Sequence, residues 1–288
     1  MLFRSNIPAP EYPFQIDYNS TIMLLGSCFS DNIGNYFARH QFNVNSNPFG
    51  VLFNPISIER SIRLLLQPDL FDRERYFYKT RDLWVSFAHH GRFSRENFEE
   101  FERNITEQLE IASDFLHRTD VLFVTFGTAF CYKFIPRDLI VSNCHKIPNH
   151  QFQRFRLTEK QIVTQWKETM DQLLAVRPDL KIVFTVSPVR HVGDGLHENT
   201  LSKAVLLLAT EKLVDNEHTF YFPSYEYLMD DLRDYRFYAK DLYHPNDLAV
   251  EYIEEKVAES FFDPQTTEQV RLVAQQNKFR AHRRLRVE

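Results

Sequence analysis

The sequence is poor in glycine and cysteine, and it has no excess of positive charge. Its 288 residues include only 7 glycines, against 27 phenylalanines and 13 tyrosines. So many aromatic and so few flexible residues exclude intrinsic disorder for most of the chain. The 34 basic and 39 acidic residues give a net charge of -5 with neutral histidines. That balance provides no field that would attract a polyanion, so we expect no nucleic-acid partner.

Cysteine usage and apolar runs bear on the cellular compartment. Cys28, Cys131 and Cys144 are an odd number of cysteines without the spacing of a disulfide framework. The first eleven residues contain no apolar signal core, and no apolar run approaches the roughly 20 residues that a membrane helix needs. The sequence therefore predicts a soluble, cytoplasmic protein with no membrane partner, while its oligomeric state stays open.

Short apolar runs alternate with longer helical patterns, which is typical of parallel strands joined by crossover helices. The runs predicted to be strands are residues 21–25, 42–44, 121–126, 181–186 and 219–222. The predicted helices are residues 30–40, 55–66, 94–116, 158–176, 200–214 and 246–262. Ser94 and Thr158 precede acidic first turns and are predicted helix caps. We expect an α/β fold in which one parallel sheet of about five strands is covered on both faces.

Two stretches do not fit a minimal three-layer domain and are interpreted as insertions. Residues 75–93 alternate aromatic and polar side chains like a hairpin, and residues 130–155 are loop-rich and basic. The segment 266–288 is polar with a helical pattern. The sequence thus predicts one domain over residues 1–265 and a C-terminal helical tail over residues 266–288.

The first motif with catalytic chemistry follows the first predicted strand, where residues 24–30 read LLGSCFS. A nucleophile in such a turn lies at the carboxyl edge of the sheet. The N–H groups that begin the next helix face the same point and supply part of an oxyanion hole. The alternative is a plain strand-to-helix turn with a packed cysteine.

The second motif lies near the other end of the chain, where residues 241–246 read DLYHPN. Asp241 would hold the Nδ1–H of His244 and leave the other ring nitrogen to deprotonate a nucleophile from the first turn. Pro245 and Asn246 also read as a helix start, so a capping loop is the alternative.

Together the two motifs resemble the GSCFA domain family, a branch of the SGNH/GDSL-type hydrolase superfamily. Segments spread over most of the chain carry the resemblance: residues 26–29, 127–129, 143–148, 187–191, 194–195, 202–204 and 241–245. The resemblance implies a flavodoxin-like three-layer sandwich with the site at its carboxyl edge. It also implies a hydrolase or acyltransferase that acts on an ester or related acyl bond through a covalent acyl-enzyme.

The nucleophile is either Cys28 or Ser27. The superfamily pattern Gly-Asp-Ser-Leu, laid without gaps over residues 26–29, puts Cys28 where the nucleophilic serine normally stands. A neighbouring His244 and a helix N-terminus would lower the pKa of Cys28 below its reference value of about 8.5. We favour Cys28, while a one-residue shift would restore a serine triad with Ser27. His244 would then transfer the proton, and Asp241 would orient His244.

The resemblance also implies the oxyanion donors. They are the N–H groups of Cys28 and of Gly50, the glycine that follows Asn47. The usual third donor is an asparagine two residues after a glycine, but residues 127–129 read GTA. Thr128 or a side chain from the inserted loop is therefore predicted to replace that asparagine.

Four polar residues are candidates for substrate binding: Asn143 and His145 in the inserted loop, and Arg190 and His191 after the fourth predicted strand. Arg190 would hold an anionic or carbonyl group, and His191 would serve as a second acid or base. We expect a small-molecule or carbohydrate-linked acyl substrate and no cofactor. The set Cys144, His145 and His150 matches no standard ligand spacing, so no metal is expected.

Two non-catalytic functions remain alternatives, because a fold does not fix a function. The first is a ligand-binding or interaction module that keeps the hydrolase fold, motivated by the missing asparagine and the displaced serine. The second is a scaffold that uses residues 75–93 and the C-terminal helix as an interface. The distance from His244 to Cys28 or Ser27 distinguishes an enzyme from either alternative.

Overall fold

The computed structural model describes residues 4–284, without the side chains of Asp194 and of residues 280–284. Its strands are β1 (Thr21–Gly26), β2 (Asn43–Ser46), β3 (Phe77–Lys79), β4 (Trp84–Ser86), β5 (Val121–Phe126), β6 (Phe130–Phe134), β7 (Leu139–Val141), β8 (Phe152–Arg156), β9 (Lys181–Val186) and β10 (Thr219–Tyr221). Its α-helices are α1 (Cys28–Arg39), α2 (Pro55–Leu66), α3 (Arg73–Tyr76), α4 (Phe98–Leu116), α5 (Glu159–Val176), α6 (Leu196–Leu213), α7 (Ser224–Glu226), α8 (Asp247–Phe261) and α9 (Pro264–Arg284).

The central sheet contains the five predicted strands in the order β10-β9-β5-β1-β2, and all neighbours are parallel. Every residue of β1 and β5 is buried, as the nearly continuous apolar runs predict for strands covered on both faces. The winding direction reverses between β1 and β5. In sheets of this kind, ligands bind at the carboxyl ends of the strands beside that reversal. The predicted α/β sandwich and its flavodoxin-like order are confirmed.

Two hydrophobic clusters pack on the two faces of the sheet. One cluster joins α2, α4, α5 and α6 to the sheet and includes the buried Trp166. The other joins α1 and α8 to the opposite face through Phe37 and Val257. The helices therefore form the outer layers of a three-layer sandwich.

The structure corrects one predicted helix cap and confirms another. Helix α4 begins at Phe98, and Asn97 caps it by accepting a hydrogen bond from the N–H of Glu100 at 2.7 Å. Ser94 is not the cap, because the next residue, Arg95, pairs with Trp84 in an antiparallel bridge that keeps this stretch extended. Thr158 caps α5 in the predicted capping box.

The two insertions differ in how well the sequence predicts them. Residues 75–93 contain the predicted hairpin, in which β3 pairs antiparallel with β4. Residues 130–155 contain the predicted loop, over residues 142–151, and also three strands that the sequence did not predict: β6 pairs antiparallel with both β7 and β8.

The C-terminal segment forms the predicted helix, α9, as far as residue 284. Residues 285–288 of the predicted tail lie outside the described residues, and the domain boundary at residue 265 stays a prediction. Among the helices of residues 4–284, none is both long and apolar enough to span a membrane.

Candidate active site

The turn after β1 has a shape that only glycine permits. Gly26 has a φ of +142°, and a Cβ there would lie 2.2 Å from the carbonyl oxygen of Thr125 on β5. A larger residue would push β1 away from β5 at the point where the sheet winding reverses. Gly26 thus places Ser27 and Cys28 directly above the carboxyl edge.

Ser27 and Cys28 have different environments although they are adjacent. Ser27 is fully buried at 0% exposure and caps α1, since its Oγ accepts a hydrogen bond from the N–H of Phe29 at 3.3 Å. Cys28 is the first residue of α1 and is only partly buried. Of the two predicted nucleophiles, Cys28 is the one that solvent reaches.

The predicted lowering of the Cys28 pKa is wrong in sign. Burial raises the pKa of the Cys28 thiol, and the nearby carboxylate of Asp31 raises it further. The N–H groups of Cys28 and Phe29, which face the sulfur, and the ammonium group of Lys203 act in the opposite direction without overcoming burial. The other thiols ionise even less readily, because burial raises the pKa of Cys131 to about 12 and that of Cys144 to about 11.

Asp241 and His244 form the predicted pair on the loop that precedes α8. Nδ1 of His244 lies 2.7 Å from Oδ2 of Asp241, and both side chains are about half exposed, at 52% and 45%. Oδ1 of Asp241 also accepts the N–H groups of Tyr243 and His244 at 2.9 and 3.0 Å. These backbone hydrogen bonds and the His244 ring lower the pKa of Asp241 to about 2, so the carboxylate is ionised at neutral pH.

A backbone hydrogen bond fastens this loop to the sheet edge. The N–H of Arg190, just beyond β9, donates to the carbonyl oxygen of Tyr243 at 3.2 Å. Among the hydrogen bonds within residues 4–284, none joins the His244 ring to Cys28 or Ser27. Catalytic hydrogen bonds in ligand-free enzymes are often longer than in the substrate complex.

Two of the predicted oxyanion donors already donate their N–H groups to backbone carbonyl oxygens of the protein. The N–H of Gly50 donates to the carbonyl oxygen of Asn47 at 2.7 Å. The N–H of Thr128 donates to the carbonyl oxygen of Phe53 at 2.9 Å, and its hydroxyl lies 3.1 Å from Oγ of Ser202. Of the three predicted donors, the N–H group of Cys28 is the one that faces the Cys28 sulfur.

A cleft of about 280 Å³, lined in part by Thr128, contains two of the four predicted substrate-binding residues, Asn143 and His191. Phe53, Phe130 and Tyr132 give the cleft an aromatic lining. The His191 ring packs edge-on against Phe53 at 5.4 Å, and its buried Nε2 has no hydrogen-bond partner among the described residues.

The other two candidates lie elsewhere. Nε2 of His145 is 2.8 Å from the carbonyl oxygen of Ser86, which commits this ring to the hairpin. Arg190 lines a separate cavity of about 400 Å³ together with Tyr225 and Tyr238. Sequence neighbours Arg190 and His191 therefore face different cavities.

The family model of the GSCFA family matches residues 21–257, a span that includes both motifs. The chain belongs to the GSCFA family. A comparison with curated proteins found no match.

Solved structures similar to this GSCFA chain include three proteins described as esterases. A carbohydrate esterase family 3 protein from Talaromyces cellulolyticus has a TM-score of 0.41 and 6% identity, over 89% of this chain and 99% of that one. An acetyl esterase mutant with acetate ion has a TM-score of 0.37 and 7% identity, over 88% and 99%. An acetyl xylan esterase from the rumen bacterium Butyrivibrio proteoclasticus has a TM-score of 0.39 and 14% identity, over 88% and 66%. TM-scores this low do not assign a function.

Two buried residues of this GSCFA site were given no role by the sequence, although Lys203 lies in segment 202–204, which carries part of the family resemblance. Asn47 is fully buried, where its Oδ1 accepts the N–H of Gly26 at 2.8 Å and its Nδ2 donates to Asp31 at 2.6 Å. Lys203 on α6 is also buried, and its Nζ donates to the carbonyl oxygens of Gly127 and Ser187. Within residues 4–284, no group of three or more His, Cys, Asp or Glu is arranged to hold a metal ion.

Replacing Asn47 with alanine should destabilise the turn that carries Cys28. The substitution leaves the Gly26 N–H buried without its acceptor, so we expect the free energy of unfolding to fall by about 2 to 3 kcal/mol. Urea denaturation of the variant and of Asn19→Ala, an exposed asparagine, measures the difference. Equal stability of Asn47→Ala and the wild type would contradict this assignment.

His191 should make stability depend on pH. Burial first, and then the charges of Lys203 and His244, lower the pKa of His191 to about 4. The unfolded chain binds this proton below about 6.5, whereas the folded protein binds it only near 4, so the free energy of unfolding should fall as the pH drops through that interval. Urea denaturation across the interval should show a smaller fall for His191→Gln. Identical pH dependence of variant and wild type would show that His191 does not contribute.

Proposed function

We propose that this protein is a thiol-dependent hydrolase or acyltransferase that acts on an ester or related acyl bond. The observation that carries the proposal is the 2.7 Å contact between Asp241 and His244, on a loop bonded to the sheet edge where Cys28 begins α1. An ionised carboxylate that holds one ring nitrogen leaves the other free for proton transfer. An accessible thiol at a helix N-terminus is the matching nucleophile.

In the proposed reaction, Sγ of Cys28 attacks the acyl carbon while the thiol proton passes to Nε2 of His244, and the tetrahedral intermediate then collapses to a thioester. The N–H group of Cys28 stabilises the oxyanion, with the Thr128 hydroxyl as a further donor. Collapse of the intermediate expels the alcohol, which takes the proton from His244. Water or an acceptor alcohol then cleaves the thioester and regenerates the thiol.

The cleft lined by Thr128 and His191 supports a substrate with a short acyl group. Its volume of about 280 Å³ is small for a ligand site, and its aromatic lining would pack against an acyl chain or a sugar ring. We propose a small-molecule or carbohydrate-linked acyl substrate, with Asn143 and His191 as polar contacts. The three cysteines are free thiols, which favours a cytoplasmic location.

A panel of short acyl esters tests this proposal when it is combined with an electrophilic thiol probe. We expect hydrolysis of at least one ester and labelling at Cys28 that the same ester suppresses. Labelling without turnover of any ester would instead favour a ligand-binding module. One observation supports that alternative: within the described residues, no hydrogen bond joins His244 to Cys28.

A further inference from the structure

The cavity beside Arg190 is distinct from the cleft that contains His191. It has a volume of about 400 Å³, and Arg190, Tyr225 and Tyr238 form part of its wall. This volume lies within the range of small-molecule sites. Among the described residues, the cavity and the cleft share no lining residue. The cavity is therefore a second place where a ligand can bind.

The guanidinium group of Arg190 lacks an acceptor in the protein. Within residues 4–284, its side chain forms no hydrogen bond and no salt bridge, and its Nε is shut off from solvent without a partner. A guanidinium group has five N–H donors and no acceptor of its own. Enclosing such donors without an acceptor costs free energy. A ligand that reaches the terminal nitrogens would supply the missing acceptor.

A π-helical turn, Tyr227–Leu232, forms another part of the cavity wall. The N–H of Arg233 ends this turn by donating to a carbonyl oxygen five residues earlier, at 3.1 Å. Tyr225, Met229 and Arg233, each four residues apart, all line the cavity. Single π-helical turns are rare and occur frequently at functional sites. This turn brings a second guanidinium group to the cavity of Arg190.

The charged side chains of the cavity favour a ligand with one negative charge. Besides Arg190 and Arg233, the wall contains Asp230 and Asp234. Asp234 already has a partner, because its carboxylate accepts the N–H of Arg236 at 2.9 Å and lies 3.7 Å from Nε of that residue. Asp230 forms no salt bridge within residues 4–284. Two guanidinium groups therefore face one unpaired carboxylate, which leaves an excess of one positive charge.

Tyrosine rings give the cavity an apolar surface beside these charges. Tyr225, Tyr235 and Tyr238 line it, and the ring centroids of the last two are 6.3 Å apart. Burial raises the pKa of Tyr225 and of Tyr238, and the charge of Arg190 opposes the rise at both. A planar guanidinium group suits a carboxylate, which accepts two parallel N–H bonds. The tyrosines suit a ring or hydrocarbon body attached to that carboxylate.

We propose that this cavity binds a small molecule that has one carboxylate on a ring or hydrocarbon body. Arg190 binds the carboxylate, Arg233 adds a second positive charge, and the tyrosine rings pack against the body. The inference does not rest on the proposed hydrolase activity, because the cavity contains none of the residues assigned to that reaction.

Hydrogen bonds connect the cavity wall to the loop that carries His244. The N–H of Arg190 donates to the carbonyl oxygen of Tyr243 at 3.2 Å, and Tyr238 pairs with Pro245 in an antiparallel bridge. A ligand that binds only the folded wall stabilises the segments that form it. A bound carboxylate should therefore slow the hydrogen exchange of this loop as well as that of the π-helical turn.

Isothermal titration calorimetry with three carboxylates and their amides tests the proposal. Benzoate, cyclohexanecarboxylate and hexanoate differ in the body, while benzamide, cyclohexanecarboxamide and hexanamide lack the charge. We expect saturable binding of at least one carboxylate, about tenfold or more tighter than that of its amide. Arg190→Met should weaken this binding about tenfold or more. Arg103→Met is the matched control, since Arg103 is exposed on α4, across the sheet from the π-helical turn.

Three calorimetric results would overturn the proposal. They are no saturable binding of any of the three carboxylates, equal affinity for a carboxylate and its amide, and wild-type affinity in Arg190→Met. Phenyl phosphate is titrated in parallel, and tighter binding of phenyl phosphate than of benzoate would refute the assignment of a carboxylate.

Hydrogen exchange of the wild type applies even if Arg190→Met does not fold. With saturating carboxylate, the peptides that cover residues 225–246 should exchange more slowly, while those that cover residues 128–144 should not change. Protection confined to residues 128–144, which contribute to the cleft, would place the ligand there and overturn the proposal. Neither experiment uses an ester, so a failure of this inference and a failure of the proposed hydrolase are distinguishable.

Discussion

Replacing Cys28 with alanine should lower ester hydrolysis by about 10³-fold or more, whereas Ser27→Ala should retain most of the activity. Cys28 is the partly exposed residue at the start of α1, and backbone N–H groups face its sulfur. Ser27 is buried, and its Oγ is occupied as the helix cap. Loss of a nucleophile removes the covalent path and leaves only binding and oxyanion stabilisation. The measurement is kcat/KM on an ester that the wild type hydrolyses.

Stability must be followed alongside activity, because Ser27→Ala removes a helix cap worth about 1 kcal/mol. Both variants are therefore assayed well below their unfolding temperatures. Cys28→Ser adds a conservative control, since it keeps a nucleophilic atom in place but raises its pKa far above that of a thiol. Retained activity in Cys28→Ala together with lost activity in Ser27→Ala would establish the serine triad instead.

Asp241→Asn should lower kcat by about 10² to 10⁴-fold and leave KM and folding nearly unchanged. Asparagine keeps an oxygen that accepts the N–H groups of Tyr243 and His244, so the turn survives. The amide nitrogen, however, faces Nδ1 of His244 with a donor where the carboxylate offers an acceptor. The ring then adopts the wrong tautomer, and the imidazolium formed during attack loses its counter-charge.

Asp215→Asn is the matched control for this substitution. Oδ1 of Asp215 likewise accepts backbone N–H groups two to four residues ahead, but this turn precedes β10, away from the carboxyl edge. We expect wild-type kcat and KM for Asp215→Asn. If Asp241→Asn keeps the wild-type kcat and only its denaturation midpoint falls, Asp241 belongs to a capping loop and not to the site.

The centre of the sheet could be predicted because β1, β5 and β9 are buried on both faces. Such strands read as nearly continuous apolar runs, so residues 121–126 and 181–186 match β5 and β9 at both ends. The errors come from structure that depends on distant partners. Nothing near Ser94 shows that Arg95 will pair with Trp84, and the basic composition of residues 130–155 conceals strands held together by mutual pairing.

The same distinction between local and distant contacts explains which features of the site could be predicted from the sequence. Asp241 and His244 are three residues apart, so their contact follows from one turn and could be predicted. The roles of Asn47 and Lys203 depend on chain segments far away in sequence, and a buried lysine looks like any other in a helical pattern. The sign of the Cys28 pKa shift depends on burial and on the orientation of Asp31, neither of which the motif reveals.

The long separation between the turn at Cys28 and the loop at His244 has a consequence during synthesis. Cys28 leaves the ribosome about 200 residues before His244, and the strands that frame the edge emerge in between. Domains generally fold as units, so the proposed site forms only after the sheet and the loop at His244 are assembled. Burial raises the pKa of Cys28 only in the folded protein, so the thiol of a nascent chain is ionised more readily than the thiol of the finished site.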